Sequence, residues 1–202
     1  MGPTVRELYP KSGNGAAFAS VATTLMTTIP CWYALTVRHQ HERQVERLLR
    51  MQGWETLLPV YRTRRQWSDR MKEVEAPLFS GYVFCRFALR EKPRVEDTPG
   101  VARIVKFRGV AAPIDDREID DIRAMAQSGA RLSPWPYLKA GDRVRVERGP
   151  LRGLEGILLR QGSEARLVVG VDLLQRSIAA EVDPAMVVPV RVVPLRALAK
   201  GA

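Results

Sequence analysis

The clearest chemical signals in this sequence are aromatic and arginine side chains, which suit binding rather than bond making. The segment 77–87 carries most of the aromatic signal, with Phe79, Tyr82, Phe84 and Phe87. Alternation along a strand places Tyr82 and Phe84 on one face and the residues between and after them on the other. Because both faces are apolar, this strand is either covered on both sides within a sheet or keeps one face for a partner.

Two basic segments form a second signal. At helical spacing, residues 39–51 place an apolar arc opposite three arginines, which are Arg43, Arg47 and Arg50. Residues 62–72 follow as a polar arm around Trp67, with the cations Arg62, Arg64, Arg65, Arg70 and Lys72. Arginines meet phosphates and an indole ring stacks on bases, so both segments suit nucleic acid. A solvated helix face and a solvated hairpin explain the same patterns.

The overall composition favours a polyanionic partner. The chain has 202 residues, of which 46% are hydrophobic, and its formal net charge is +10. This length and hydrophobic content suffice for one or two domains with a buried core. A strongly basic balance indicates binding to nucleic acid or to another anionic surface.

No residue pattern predicts catalysis, a metal site or a cofactor. Cys31 and Cys85 lack Cys-x-x-Cys spacing, and the only histidines are His39 and His41, so neither zinc nor a disulfide framework is predicted. No nucleophile with a base and no phosphate loop is evident. Four aspartates fit capping and dipole pairing at a helix start: Asp115, Asp116, Asp120 and Asp121. We therefore expect a non-enzymatic, cofactor-free protein of the cytoplasm.

The order of elements predicts two domains of class α+β. Residues 1–30 lack periodicity and are predicted to be a disordered extension, with 16–26 too short and too polar to span a membrane. Residues 31–127 alternate strands and helices, which favours a mainly antiparallel sheet flanked by helices. Residues 128–138 resemble a linker, and 139–192 contain short strands with glycine turns, typical of a small barrel. A tail, 193–202, ends the chain.

Several short motifs together resemble one protein family. They are Trp32-Tyr33, Phe-Ser-Gly-Tyr-Val at 79–83, Thr-Pro-Gly-Val at 98–101, Gly-Asp-Arg-Val-Arg-Val at 141–146 and Gly-Pro-Leu-Arg-Gly-Leu-Glu-Gly at 149–156. In this order and spacing they are similar to NusG-type transcription elongation factors. The resemblance implies an N-terminal NusG domain followed by an SH3-like KOW barrel.

The resemblance also implies partners and site residues. The first domain would dock on the clamp helices of the RNA polymerase largest subunit through Thr36, Phe79, Tyr82 and Phe84. The first domain would also contact non-template DNA or nascent RNA through basic side chains, which are Arg38, Arg43, Arg47, Arg50, Arg64, Arg65 and Arg70. In the second domain, the loop that family members offer to ribosomal protein S10 or Rho would correspond to Leu174 and Arg176. Leucine replaces the usual aromatic residue there.

The implied function is an elongation regulator that suppresses pausing and termination. Pro77-Leu78-Phe79, Phe84 and the 101–110 run are similar to the specialised RfaH-like branch, which favours an operon-specific antiterminator. Two alternatives stay open: a housekeeping NusG that also works with Rho and the ribosome, and a KOW-type RNA- or ribosome-binding module. We expect a monomer whose second domain is a stable β-barrel rather than a helical hairpin, because glycines and prolines interrupt helices there. We also expect the aromatic side chains of the first domain to be uncovered.

Overall fold

The structure, a computed structural model, describes residues 28–67, 70–137, 141–161 and 164–190. The predicted extension lies outside these residues apart from its last three, and the predicted tail lies wholly outside them. Within the described part, no helix is both long and apolar enough to cross a membrane.

The N-terminal half forms a four-stranded sheet. Its strands are β1 (Cys31–Val37), β2 (Glu55–Leu57), β5 (Tyr82–Phe87) and β6 (Val101–Ile104). They are ordered β2-β5-β1-β6, and every neighbouring pair is antiparallel. The predicted α+β arrangement with a mainly antiparallel sheet is therefore confirmed for this half.

Three α-helices pack on the two faces of this sheet. Helices α1 (Glu42–Met51) and α2 (Lys92–Glu96) bury Val45 and Val95 against one face. Helix α3 (Asp116–Gln127) buries an apolar stripe on the other face, which is Ile119, Ile122 and Met125. Asp115 caps α3 by accepting a hydrogen bond from the Arg117 amide at 2.9 Å, as the sequence predicted for this residue.

Two hairpins extend from the sheet. Strands β3 (Val60–Trp67) and β4 (Arg70–Pro77) form a long one, and β7 (Lys106–Phe107) and β8 (Val110–Ala111) form a short one. Residues 54–61 do not form one continuous strand, because the structure divides this segment between β2 and β3. Pro59 lies at the break, where its missing amide hydrogen cannot join a ladder.

The C-terminal half is all-β among the described residues, apart from single 3₁₀ turns. It contains six strands: β9 (Leu132–Pro136), β10 (Asp142–Val146), β11 (Glu155–Gln161), β12 (Glu164–Val171), β13 (Arg176–Glu181) and β14 (Val187–Pro189). They form one antiparallel sheet in the order β14-β10-β11-β12-β13-β9. The predicted linker thus contains β9, which pairs with β13. The strands also agree with the prediction that this half is not a helical hairpin.

Candidate functional site

Thr36, Phe79, Tyr82 and Phe84, which we call the aromatic face, lie together in the structure. Thr36 on β1 stands opposite Tyr82 on β5 in the antiparallel register. The rings of Phe79 and Phe84 meet edge to face, with centroids 5.4 Å apart. Phe84 belongs to one buried cluster, while Val83 and Cys85 belong to another, so the alternation predicted for β5 is confirmed.

Glu42 organises the turn that carries these aromatic residues. Gly81 adopts φ +84, which suits glycine, and its amide donates a 2.8 Å hydrogen bond to a carboxylate oxygen of Glu42. Glu42 is only 6% exposed. Sequence reasoning missed this residue, because a glutamate at a helix start is most simply explained by the helix dipole. Its position in the first turn of α1 was the only available signal.

The C-terminal sheet covers the aromatic face. Phe79 and Phe84 are 1% and 0% exposed, in a continuous cluster that also contains Leu167 and Ile178 of the second sheet. The Arg176 guanidinium lies over the Tyr82 ring, 5.2 Å from its centroid. The prediction of an uncovered aromatic face is therefore wrong for this structure. An apolar surface gains free energy from any apolar cover, including one from its own chain.

Leu174 and Arg176, predicted to form the partner loop of the second domain, lie where the C-terminal half contacts the aromatic face. Leu174 ends a 3₁₀ turn, packs partly buried against the shared cluster and is followed by Gln175 at φ 50. Arg176 comes next and reaches Tyr82. The surface predicted to meet S10 or Rho and the surface predicted to meet polymerase therefore contact each other here.

A polar contact accompanies the apolar one. On α3, Glu118 faces Asp172, which begins the 3₁₀ turn after β12. The Asp172 carboxylate accepts a 2.5 Å hydrogen bond from the Tyr137 hydroxyl. Burial, followed by the charge of Asp172, raises the pKa of Glu118 to about 7. Glu118 lies in the first turn of α3, where a carboxylate also suits the helix dipole. Its position against Asp172 makes it a titratable group of the contact between the two halves.

The predicted helix arginines, Arg43, Arg47 and Arg50, lie on one side of α1, and we call them the arginine face. They line an open cavity together with Thr56, Leu57, Leu58 and Val60. Arg43 pairs with Glu75 at 2.9 Å, and Arg50 pairs with Glu46. Among the described residues Arg47 has no acidic partner, so the arginine face keeps one uncompensated charge.

The basic arm carries less net charge than its arginines suggest. In the β3–β4 register, Arg62 stands opposite Glu75 and Arg64 opposite Glu73. The side chains of Arg65 and Arg70 lie outside the described ones. Arg38 directly follows β1 and is exposed, and it belongs neither to the hairpin nor to α1. The structure therefore brings the helix arginines together, and cross-strand acids oppose part of the arm.

Among the described residues, no group of three or more His, Cys, Asp or Glu side chains is arranged to hold a metal ion. Cys31 and Cys85 are free thiols. Burial raises the pKa of Cys85 to about 12, which keeps it protonated and makes it a packing residue rather than a nucleophile.

Comparison with known proteins gives the family. A family model described as "Transcription termination factor nusG" matches residues 30–123. The transcription termination/antitermination protein NusG of Pseudomonas aeruginosa is 30% identical over 169 residues, covering 75% of this chain and 94% of that protein. The protein of the same name from Lactococcus lactis is 28% identical over 131 residues, covering 62% and 70%. A solved structure titled "Domain interaction in Thermotoga maritima NusG" covers 80% of this chain and 98% of its own at 19% identity, with TM-score 0.49. With 30% identity across nearly the whole Pseudomonas protein, this chain belongs to the NusG family of transcription termination and antitermination proteins.

Proposed function

We propose that this protein is a transcription elongation regulator that binds RNA polymerase through its aromatic face and suppresses pausing and termination. Family membership supports the general role, and the clustering of the aromatic residues supports the choice of surface. The single observation that carries the proposal is the fixed pair Phe79–Phe84 beside Tyr82, held by the Glu42–Gly81 bond. Clustered aromatic anchors of this kind dominate the energetics of protein interfaces. The clamp helices of the largest polymerase subunit are the partner that we assign to this face.

Binding through this face is conditional on movement of the second sheet. The aromatic face is closed in the structure, so Arg176 has to leave Tyr82 before a polymerase helix can take its place. Only the open form can bind polymerase, so the apparent affinity falls in proportion to the fraction of molecules that are open. A factor that has to be opened suits recruitment at particular transcription units. This supports an operon-specific antiterminator over a housekeeping NusG that acts with Rho and the ribosome.

The second sheet has a role of its own in this proposal. We infer that it is the SH3-like KOW barrel of domain 139–192, joined to the NusG domain 31–127. Once undocked, it presents Leu174 and Arg176 to a second partner, for which ribosomal protein S10 or Rho are the candidates. The same two residues cannot cover Tyr82 and bind that partner at once.

The arginine face supplies the nucleic-acid contact of the proposal. Arg47 lacks an acidic partner among the described residues, and Arg43 and Arg50 can exchange theirs for phosphates. A non-template DNA strand or nascent RNA beside the docked factor is the partner that this charge fits.

Polymerase binding by full-length variants tests the proposal. Arg176→Ala alone should strengthen binding to core polymerase by roughly twofold to thirtyfold, because a cation–π contact that favours the closed state is lost. Adding Tyr82→Ala to Arg176→Ala, where that contact is already absent, should weaken binding by about tenfold or more relative to Arg176→Ala, as expected for a hot-spot aromatic residue. Arg166→Ala is the matched control, since this arginine lies over Trp135, 4.9 Å from its ring centroid and within the C-terminal sheet. Phe79→Ala is less informative, because Phe79 is also a core residue.

The outcomes separate the candidate functions. Equal affinities for wild type, for Arg176→Ala and for the double variant that adds Tyr82→Ala would exclude the aromatic face as the polymerase site. RNA binding without any polymerase binding would favour the KOW-type RNA- or ribosome-binding module. Rho-dependent termination stimulated on every template tested would favour the housekeeping alternative, whereas antitermination restricted to some templates would favour the operon-specific factor.

A further inference from the structure

The β7–β8 hairpin exposes apolar side chains at a site that the proposed function does not use. Phe107 is 62% exposed and Val110 is 57% exposed, although the N-terminal half has two well-buried clusters available. The two residues stand directly opposite each other in the register, so both side chains are on the same side of the hairpin. Leaving a phenylalanine ring in water forgoes the free energy of its burial.

The turn holds this apolar tip in a fixed conformation. Arg108 and Gly109 both have positive φ values, 50 and 85, which is the pattern of a type I′ turn. Because the turn matches the twist of the flanking strands, Phe107 is presented on a short structured element rather than on a loose loop. A ligand that contacts the ring would therefore lose little affinity to ordering of the protein.

The segment that carries the ring is basic, with one cation shown at the ring itself. Residues 101–114 include Arg103, Lys106 and Arg108 and contain no aspartate or glutamate. Across the described part of the chain none of these three cations forms an ion pair, unlike Arg43 and Arg50 of the arginine face. The Arg108 guanidinium lies 5.5 Å from the Phe107 ring centroid. An aromatic ring flanked by unopposed cations matches the chemistry of a nucleotide, which has a flat base and an anionic phosphate.

We infer that the β7–β8 hairpin binds single-stranded nucleic acid, with a base stacked on Phe107 and the adjoining phosphates held by Lys106 and Arg108. A single strand fits better than a duplex, because only unpaired bases offer their faces to a protein ring. A protein partner fits less well, because one phenylalanine and one valine are far too small for the apolar centre of a standard interface. This site is separate from the polymerase-binding proposal and does not depend on it.

Oligonucleotide binding by the full-length protein tests the inference without polymerase. Affinities are measured by fluorescence anisotropy for a labelled pyrimidine RNA 12-mer, the DNA strand of the same sequence and the matching DNA duplex. The variants are Phe107→Ala, Phe107→Leu, which keeps an apolar side chain without an aromatic face, and Phe107→Tyr, which keeps the ring. The same series is repeated in a variant lacking the charges of the arginine face, so that binding there does not conceal the effect.

The expected result is a loss of about tenfold in single-strand affinity for both Phe107→Ala and Phe107→Leu, within the range of one base stack, while Phe107→Tyr keeps the affinity. Lys106→Gln should lower the slope of log affinity against log salt by about 0.7 per lost phosphate contact. Comparing the affinity for the RNA 12-mer with that for the DNA strand of the same sequence shows which of the two nucleic acids the hairpin prefers. Unchanged affinity in Phe107→Ala, full affinity in Phe107→Leu or preference for the duplex would each overturn the inference. Because Phe107 is exposed, folding of the variants is checked simply by their melting temperatures.

Discussion

Glu118 should make the closure of the aromatic face depend on pH. In the docked form, burial and the facing Asp172 raise the pKa of Glu118 to about 7, whereas an exposed glutamate has a pKa near 4.5. The charges of Asp115, which caps α3, and of Asp121 within it raise this pKa further, and a hydrogen bond from the Asp172 backbone lowers it. Between about pH 4.5 and pH 7, Glu118 therefore keeps its proton in the docked form and loses it in the open form. Substituting Glu118 by glutamine removes this ionisation and keeps the shape of the side chain.

The sign of the effect follows from the two pKa values. Below about pH 4.5 Glu118 is protonated in both forms, and docking has its full strength. Between about pH 4.5 and pH 7 the open form loses its proton first, so docking weakens as pH rises. Above about pH 7 both forms are ionised and the loss is complete. The difference between the two pKa values corresponds to about 3 kcal/mol in the free energy of docking before any allowance for solvent. We reduce this figure to about 1–2 kcal/mol because Glu118 keeps some contact with solvent, which gives roughly fivefold to thirtyfold in the docking equilibrium.

Methyl NMR of the full-length protein measures this equilibrium. The methyl groups of Ile119 and Ile122 on α3, and of Ile178 on β13, belong to the shared buried cluster and report the docked fraction. Glu118→Gln should be more docked than wild type at pH 8 and should lose most of the pH dependence between pH 5 and pH 7. Asp116→Asn is the matched control, because it removes one charge from the exposed side of the same helix.

Two results would refute this reasoning. One is a docked fraction in wild type that stays constant from pH 5 to pH 8. The other is an equal response in Glu118→Gln and Asp116→Asn, which would show that net charge matters rather than the Glu118–Asp172 contact. A small residual slope in Glu118→Gln is expected from Asp121, whose pKa is also raised by burial.

Three further predictions concern packing around the two sheets. Glu42→Ala leaves the Gly81 amide without its carboxylate acceptor, so urea unfolding should show a loss of about 1–3 kcal/mol, and an unchanged midpoint would contradict this role. Gly156→Ala places a methyl group 2.6 Å from the Val168 carbonyl oxygen, so the free energy of unfolding of the C-terminal sheet, measured by thermal melting, should decrease by roughly 1–3 kcal/mol. A melting curve identical to that of the wild type would show that the two strands can move apart without cost. Cys85, whose pKa burial raises to about 12, should resist iodoacetamide at pH 8 until the protein unfolds, which mass spectrometry can follow; rapid labelling of the native protein would argue against a buried thiol.

The sequence by itself determined the local elements of this protein. Alternation in β5 separated Phe84 from Val83, and the spacing on α1 placed its arginines opposite Val45, as the two buried clusters of the structure show. Such assignments succeed because side-chain direction follows from the period of a strand or helix alone. Strand ends are less certain from periodicity: Pro59 separates β2 from β3, since a short ladder can end wherever an amide hydrogen is missing.

Only the tertiary structure decided what each face meets. The aromatic face is equally apolar whether a polymerase helix or the C-terminal sheet covers it, and nothing in the order of its residues distinguishes the two. Likewise, sequence position alone makes Glu118 a helix-start carboxylate and Arg43 a free cation. In the folded chain Asp172 faces Glu118, and Glu75 lies 2.9 Å from Arg43. Burial and charge pairing between residues distant in sequence depend on how the two sheets pack, and local periodicity carries no information about that packing.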